Sequence, residues 1–181
     1  MTKIAFIGAG NMNGAIISGL IKQGYDATQV IVSNPSAEKR LVLHQKLGIL
    51  HTDNNIEAAE FADTIVLGVK PHLITNVCAE ISKKIDISNK CFISIAAGCT
   101  VAQMKEALIK PCAIIRTMPN TPSQIGLGVT GLYSANGVSE NQKQVAEELM
   151  SSVGIIKWLA SEEEIDNIIA VSGSAPAYFF L

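Results

Sequence analysis

The chain has 181 residues, of which 48% are hydrophobic and 17% charged; this excludes a disordered or collagen-like chain and suffices for one domain, or one and the start of another. Fourteen Lys and Arg against 16 Asp and Glu give a net charge of -2, without the basic face that DNA, RNA or an anionic membrane requires. The balance suits a small uncharged or anionic metabolite.

Ile4 to Ile21 carries no charge between Lys3 and Lys22, but it is neither a signal peptide nor a membrane span. Gly8, Gly10, Gly14 and Gly19, with Asn11 and Asn13, lower the hydrophobicity where it should peak. The same residues parse as a strand (Lys3 to Ile7), a glycine turn and a helix with Met12, Ala15, Ile16, Gly19 and Leu20 on one face. The alternation continues with a strand at Gln29 to Ser33, a helix at Ser36 to Leu47, a strand at Asp63 to Val69 and a helix at Pro71 to Lys84. Lys90 to Ala96 reads as a strand, Val101, Met104 and Leu108 as a helix face, and Pro111 to Thr117 as another strand. A proline and glycine loop covers Met118 to Gly128, followed by a strand near Val129 to Tyr133. Ser139 and Gln142 form a capping box for a helix carrying Val145, Leu149 and Val153, and Gly154 to Leu159 is a last strand. Ser161 and Glu164 predict a second capping box, with Ile165, Ile168 and Ile169 as a buried stripe. The chain stops on an apolar end, Ala177 to Leu181. Strands this apolar, alternating with helices, predict an α/β fold with a doubly wound, mainly parallel sheet covered on both faces.

Cys78, Cys91, Cys99 and Cys112 show no CxxC or CxxxH spacing and lie in or beside apolar runs. Reduced core thiols and a reducing cytoplasm are expected, with no disulfide and no metal.

Gly8-Ala9-Gly10-Asn11-Met12-Asn13-Gly14 follows a strand and opens a helix, the setting of a Rossmann-like dinucleotide fingerprint. Gly8 permits the tight turn, Gly10 clears the approach of a pyrophosphate, and the helix N-terminus offers N–H groups and partial positive charge. The third glycine comes one position late, with Asn13 in its usual place; a glycine turn that only packs strand to helix would share this pattern. The second strand ends on Ser33-Asn34-Pro35-Ser36, without the carboxylate that binds an NAD ribose. No anion opposes a 2′-phosphate there, the hydroxyls and the amide can donate to it, and Lys39 and Arg40 are near in sequence. NADPH is therefore expected over NADH, the alternative being an ordinary Asn-Pro turn with Ser36 as an N-cap. Val69-Lys70-Pro71, Ala96-Ala97-Gly98 and Met118 to Pro122 end further strands, on the edge where open α/β sheets bind ligands. Lys70 and Arg116 read equally as ligand contacts or solvated strand-end charges. His72 is the only histidine near this edge. No nucleophile triad or paired carboxylate presents itself, and hydride transfer needs none.

These motifs resemble the pyrroline-5-carboxylate reductase family along the chain: Ile7 to Met12, Val69 to Pro71, Ser94 to Gly98, Arg116 to Pro122 and Ser172 to Tyr178. The resemblance implies an oxidoreductase of proline biosynthesis that reduces L-1-pyrroline-5-carboxylate to L-proline with NAD(P)H, and disfavours F420- or hydroxyacid-type dehydrogenases on the same fold. It implies that, beside the fingerprint residues Gly8 and Gly10, Asn11 and Met12 lie along the pyrophosphate, and that Ser33, Asn34 and Pro35 lie at the adenosine ribose. Asn55, in the loop after the third strand, would reach the adenosine side. Val69, Lys70, Pro71, Ala96 and Ala97 would line the nicotinamide ribose, Asn120 would approach the nicotinamide, and Ser172 and Ser174 would border the substrate near a helix opened by Pro176. No catalytic side chain is assigned. The family forms homodimers or higher homo-oligomers through a C-terminal helical domain that supplies a substrate loop. The expected division is a cofactor domain at 1–160 and the start of that helical domain at 161–181, where this sequence stops. A chain that binds NADPH without turnover of its own is the expectation. Two departures stand out: Asn13 replaces a small residue and is expected to push the helix from the sheet, and Ala175 replaces a glycine.

Overall fold

Each apolar run read as a strand enters one eight-stranded sheet in the computed structural model, which describes residues 1–169. In chain order the elements are β1 (Ile4–Ile7), α1 (Asn11–Lys22), β2 (Val30–Ser33), α2 (Ala37–Leu47), β3 (Leu50–Thr52), α3 (Asn55–Phe61) and β4 (Thr64–Leu67). There follow α4 (Ile74–Lys84), β5 (Cys91–Ser94), α5 (Val101–Leu108), β6 (Ala113–Met118), β7 (Gly128–Ser134), α6 (Glu140–Ser151), β8 (Gly154–Trp158) and α7 (Glu163–Ile168). Short 3-10 turns occupy Ala27–Gln29, Pro71–Leu73 and Thr121–Ile125. The helix predicted from Pro71 thus begins as a 3-10 turn, and the loop from Met118 to Gly128 contains one.

The strand order is β3-β2-β1-β4-β5-β6-β7-β8, parallel except for the antiparallel β6–β7 pair. The order reverses at β1, which lies between β2 and β4 and pairs Ile7 with Ser33 on one side and Leu67 on the other. Such a switch point separates the helices on either side and leaves a crevice beyond the carboxyl ends of the strands.

Strand alternation sorts the core into two layers. Ala5, Ile7, Ile65, Leu67, Phe92 and Ile114 face one layer with α3, α4 and α5. Ile4, Phe6, Val66, Ile93 and Ile115 face the other with α1 and α6. Phe6 and Phe92 are fully buried on opposite faces, each contributing about 1.5–3 kcal/mol through its removal from water. On α1 the buried set is Asn13, Ile16, Ile17 and Leu20, with Met12 and Ala15 only half-buried. Its close approach to α6 depends on Gly19, whose missing side chain makes room for the Ser152 carbonyl.

The Ser139 capping box forms with Gln142, and Val145, Leu149 and Val153 are buried. Thr100 and Gln103 form a second box at the start of α5, which the same spacing rule identifies in the sequence. The expected box at Ser161 is not made. The N-cap of α7 is Glu162, without a side-chain cap bond, because its carboxylate is drawn to Arg116 and the Val101 N–H. Of the predicted stripe, Ile165 is buried and Ile168 and Ile169 are half-buried. The sequence periodicity also passed over β3 and α3. β3 is a three-residue edge strand with Leu50 exposed and His51 half-exposed, so it carries no apolar run. The thiols of Cys78, Cys91, Cys99 and Cys112 are all free, the first three buried. Among the described residues, no helix is long and apolar enough to cross a membrane.

Candidate functional site

The sheet gathers the predicted residues from six separate stretches of chain onto its carboxyl edge. Gly8, Gly10, Asn11 and Met12 follow β1; Ser33, Asn34 and Pro35 end or follow β2; Asn55 follows β3. Val69, Lys70 and Pro71 follow β4, Ala96 and Ala97 follow β5, and Asn120 follows β6. Ser172 and Ser174, with Ala175 and Pro176, lie outside the described residues.

The turn after β1 is fixed by close approach to β4 across the switch point. Gly8 has φ +101, and a Cβ there would stand 2.8 Å from the Gly68 carbonyl oxygen; both conformation and space demand glycine. Gly10 differs. Its φ of -78 suits any residue, and a Cβ would meet nothing nearer than 4.0 Å. The protein therefore does not need glycine at position 10 for its own packing, and the missing side chain leaves the head of α1 bare. Gly10 occupies the N-cap without a capping side chain, and the first intrahelical bond runs from Gly14 N–H to its carbonyl at 2.9 Å. The first-turn N–H groups, at the positive end of a 12-residue helix, are directed to the edge. An anion such as a pyrophosphate fits this cradle.

Asn13 does not push α1 from the sheet. Its side chain is 1% exposed and lies over Gly68, where a Cβ would be 2.6 Å from Asn13 Oδ1. The bulk expected to separate helix and strand is accommodated by the glycine that follows β4. Gly68 belongs to this site although sequence reading passed over it; its only signal was a glycine interrupting the apolar run Thr64 to Val69. Asn13 Nδ2 donates to the Gly8 carbonyl at 2.7 Å and to the Ile7 carbonyl at 3.3 Å.

At the end of β2 the polar groups are already engaged with one another. Ser33, fully buried, donates from Oγ to Asn55 Oδ1 at 2.7 Å. Asn34 Oδ1 accepts from the Ala9 N–H at 3.1 Å, and its Nδ2 donates to the Ser36 carbonyl at 3.3 Å. The expectation that the Ser33 hydroxyl donates to a 2′-phosphate is corrected accordingly, whereas Asn34 Nδ2, with two N–H groups, uses one of them on the Ser36 carbonyl. Arg40 lies beneath the turn, with Nη1 donating to the Asn34 and Pro35 carbonyls at 3.1 and 3.2 Å and Nη2 3.6 Å from Asp53. Ser36 and Lys39 are exposed. Ser36 holds the N-cap position of α2 but makes no side-chain cap bond. Asn55 is the first residue of α3 and not part of a loop; Asn54 caps that helix, accepting from the N–H groups of Ile56 and Glu57.

The two charges at the strand ends part company. Lys70 is exposed beside Pro71 and His72. Arg116 is 1% exposed and neither a solvated charge nor a free ligand contact. Its Nη1 meets Glu162 Oε1 at 2.9 Å and its Nη2 meets Asp166 Oδ1 at 3.5 Å. The same Glu162 oxygen accepts from the Val101 N–H at 2.7 Å, tying α7 to the heads of β6 and α5. Nothing local marks this cluster, since Glu162 lies 46 residues from Arg116 and 61 from Val101 in sequence. Ser94 Oγ accepts from the Ala96 N–H at 3.3 Å, and Asn120 Oδ1 accepts from the Val129 N–H at 2.9 Å. Asn120 thereby fixes the entry to β7. A cleft of about 750 Å³ opens beside this edge between α1 and α2, bordered by Lys22, Lys39 and Lys46. It shares only Ala9, Gly10 and Asn11 with the turn and is otherwise lined by α1, α2 and the segment from Ser123 to Gly126, with Ser152 and Val153.

Residues 3–98 match the family model described as NADP oxidoreductase, coenzyme F420-dependent. The pyrroline-5-carboxylate reductase of Vibrio alginolyticus is 49% identical over 179 residues, covering 99% of this chain and 65% of the relative. The structure of a pyrroline-5-carboxylate reductase from Coxiella burnetii superposes with a TM-score of 0.94 at 42% identity, covering 99% of this chain and 66% of that one. The Plasmodium falciparum pyrroline carboxylate reductase, solved with NADP bound, has a TM-score of 0.85 at 28% identity, covering 99% and 65%. The chain thus spans about 65% of the length of these relatives. With a likeness this extensive in sequence and in backbone, the chain belongs to the pyrroline-5-carboxylate reductase family.

Proposed function

We propose that this chain carries the cofactor half of an NADPH-dependent reductase that converts L-1-pyrroline-5-carboxylate to L-proline, with residues 1–160 as the nucleotide domain and 161–181 as the start of a helical dimerisation domain. The observation that carries the reading is the bare head of α1 at Gly10, a position where glycine serves no packing need of the protein and leaves oriented N–H donors on the carboxyl edge of the switch point. The likeness to a relative at 49% identity extends through the second half of the chain, which favours the cyclic imine over an F420-linked reaction.

When bound, the nicotinamide supplies a hydride to the imine carbon. The residues of this chain bind and orient. Gly10, Asn11 and Met12 present backbone donors to the pyrophosphate, and Asn34 and Pro35 lie at the adenosine ribose with Ser33 and Asn55 hydrogen-bonded behind them. Val69 to Pro71 and Ala96 to Ala97 border the nicotinamide ribose, and Asn120 borders the ring. The absence of a carboxylate at positions 33–36 favours NADPH over NADH, since an anion there would repel the 2′-phosphate. Ser172 and Ser174 are assigned to the substrate. The four unpaired thiols, three of them buried, suit the cytoplasm.

The test is a fluorescence titration with NADPH and NADH, followed by an assay for proline formation from the cyclic imine. Binding that favours NADPH supports the cofactor reading, and binding of neither refutes it. We expect binding without robust turnover by this chain alone; rapid proline formation would refute that part.

A further inference from the structure

We propose that Asn13 and Asn34 clamp the Gly8–Ala9 peptide from both ends, so that the phosphate-receiving turn is set before a nucleotide arrives, with Asn13 as a positioning residue. The proposal rests on the reading that this turn receives a pyrophosphate.

The two bonds engage one peptide group. Its carbonyl, on Gly8, accepts from Asn13 Nδ2 at 2.7 Å, and its N–H, on Ala9, donates to Asn34 Oδ1 at 3.1 Å. The Gly8 N–H is also bound, to the Ser33 carbonyl at 2.7 Å. Glycine at φ +101 has a wide choice of backbone angles in the absence of such restraints. Two short amide side chains, one from the first turn of α1 and one from the end of β2, leave this peptide plane one orientation. Asn13 is 1% exposed, and the site that holds it is made by Gly68, where any Cβ would collide with it. Its Oδ1 has no hydrogen-bond partner among the described residues. A buried amide that leaves one acceptor unpaired costs free energy, so its retention at a position where a small residue would pack calls for an offsetting gain. Pre-orientation of the donors that follow Ala9 is such a gain, because a turn already ordered loses less conformational freedom on binding.

The test uses Asn13→Leu, which keeps the bulk and removes both donors, and Asn13→Ala, which removes the bulk as well. Each is titrated with NADPH, NADH and adenosine 2′-phosphate, the last of which carries no pyrophosphate. Loss of the clamp is expected to weaken NADPH and NADH alike by about tenfold and to leave adenosine 2′-phosphate unchanged, which a general loss of structure would not do. An unaltered NADPH affinity in both variants, or an equal loss for adenosine 2′-phosphate, overturns the clamp while the nucleotide reading stands. A wild-type chain that binds none of the three overturns both. Independently of any variant, the Ala9 amide of the unliganded wild-type chain is expected to exchange its hydrogen slowly; exchange at the rate of an open peptide overturns the proposal.

Discussion

Glu162→Ala removes the one carboxylate that serves both the buried Arg116 and the first N–H of α5. In the wild-type chain the Arg116 guanidinium, 2% exposed, has Glu162 at 2.9 Å and Asp166 at 3.5 Å, with Asp166 itself 69% exposed. After the substitution the guanidinium retains only the more distant and solvated partner, and the Val101 N–H loses its acceptor. Removing one partner of a fully buried pair costs about 3–5 kcal/mol. Glu162 is 23% exposed, so water reaches the vacated position and reduces the loss to about 2–3 kcal/mol. With a urea dependence of about 2 kcal/mol per molar, the unfolding midpoint falls by about 1–1.5 M. Glu162→Gln keeps an oxygen for Val101 and is expected to lose about half as much. Arg116→Met in the Glu162→Ala background removes the uncompensated charge while filling its volume, and is expected to recover most of the midpoint. Equilibrium urea unfolding of the four proteins is the assay. A Glu162→Ala midpoint within about 0.3 M of wild type, or a double variant less stable than the single, would refute the reasoning.

The remaining predictions concern the turn after β2, the core thiols and one strained position. Asn34→Asp retains an oxygen for the Ala9 N–H but adds an anion at the ribose end, so the ratio of NADPH to NADH affinity is expected to fall at least about tenfold; an unchanged ratio in parallel titrations would count against the cofactor assignment. Burial pushes the Cys78 and Cys91 thiols up to about 12 and Cys112 up to about 11, from an ordinary value of 9.0. Because the folded values are raised, the unfolded chain loses these protons first, and stability that is full below pH 9 declines through the folded values. Urea midpoints are expected to fall from about pH 9 to 10.5, reporting a loss of unfolding free energy of up to about 1.4 kcal/mol per pH unit for each of Cys78 and Cys91, and Cys78→Ala to flatten the slope. A steeper slope in that variant would refute this account. Ile109 caps the end of α5 at φ 62 and is 71% exposed, so Ile109→Gly is expected to stabilise the chain by about 1 kcal/mol, read as a higher thermal midpoint.

What the sequence by itself determined was periodic and local. Runs such as Ile4 to Ile7 and Cys91 to Ser94 are apolar on both sides because each strand is covered on both faces, and that alone predicts a parallel sheet. The glycine turn, the Ser139 capping box and the proline-rich segment after β6 were legible because backbone angles and caps are set by residues within a few positions of one another. The turns after β1, β2, β4, β5 and β6 were legible for the same reason, whereas Asn55 after β3 was named only through the family resemblance and Gly68 after β4 was passed over. Only the tertiary structure decided which of these turns meet. Gly8 and Gly68 touch because β1 and β4 are neighbours at the switch point, a pairing that no local period encodes, and this contact turns Asn13 from an expected wedge into a fitted side chain. Arg116 and Glu162 are brought together by the return of the chain after β8. β3 escaped the periodic reading because an edge strand needs no apolar run. Local chemistry specifies elements, whereas burial and charge pairing between distant elements depend on the order in which the sheet assembles them.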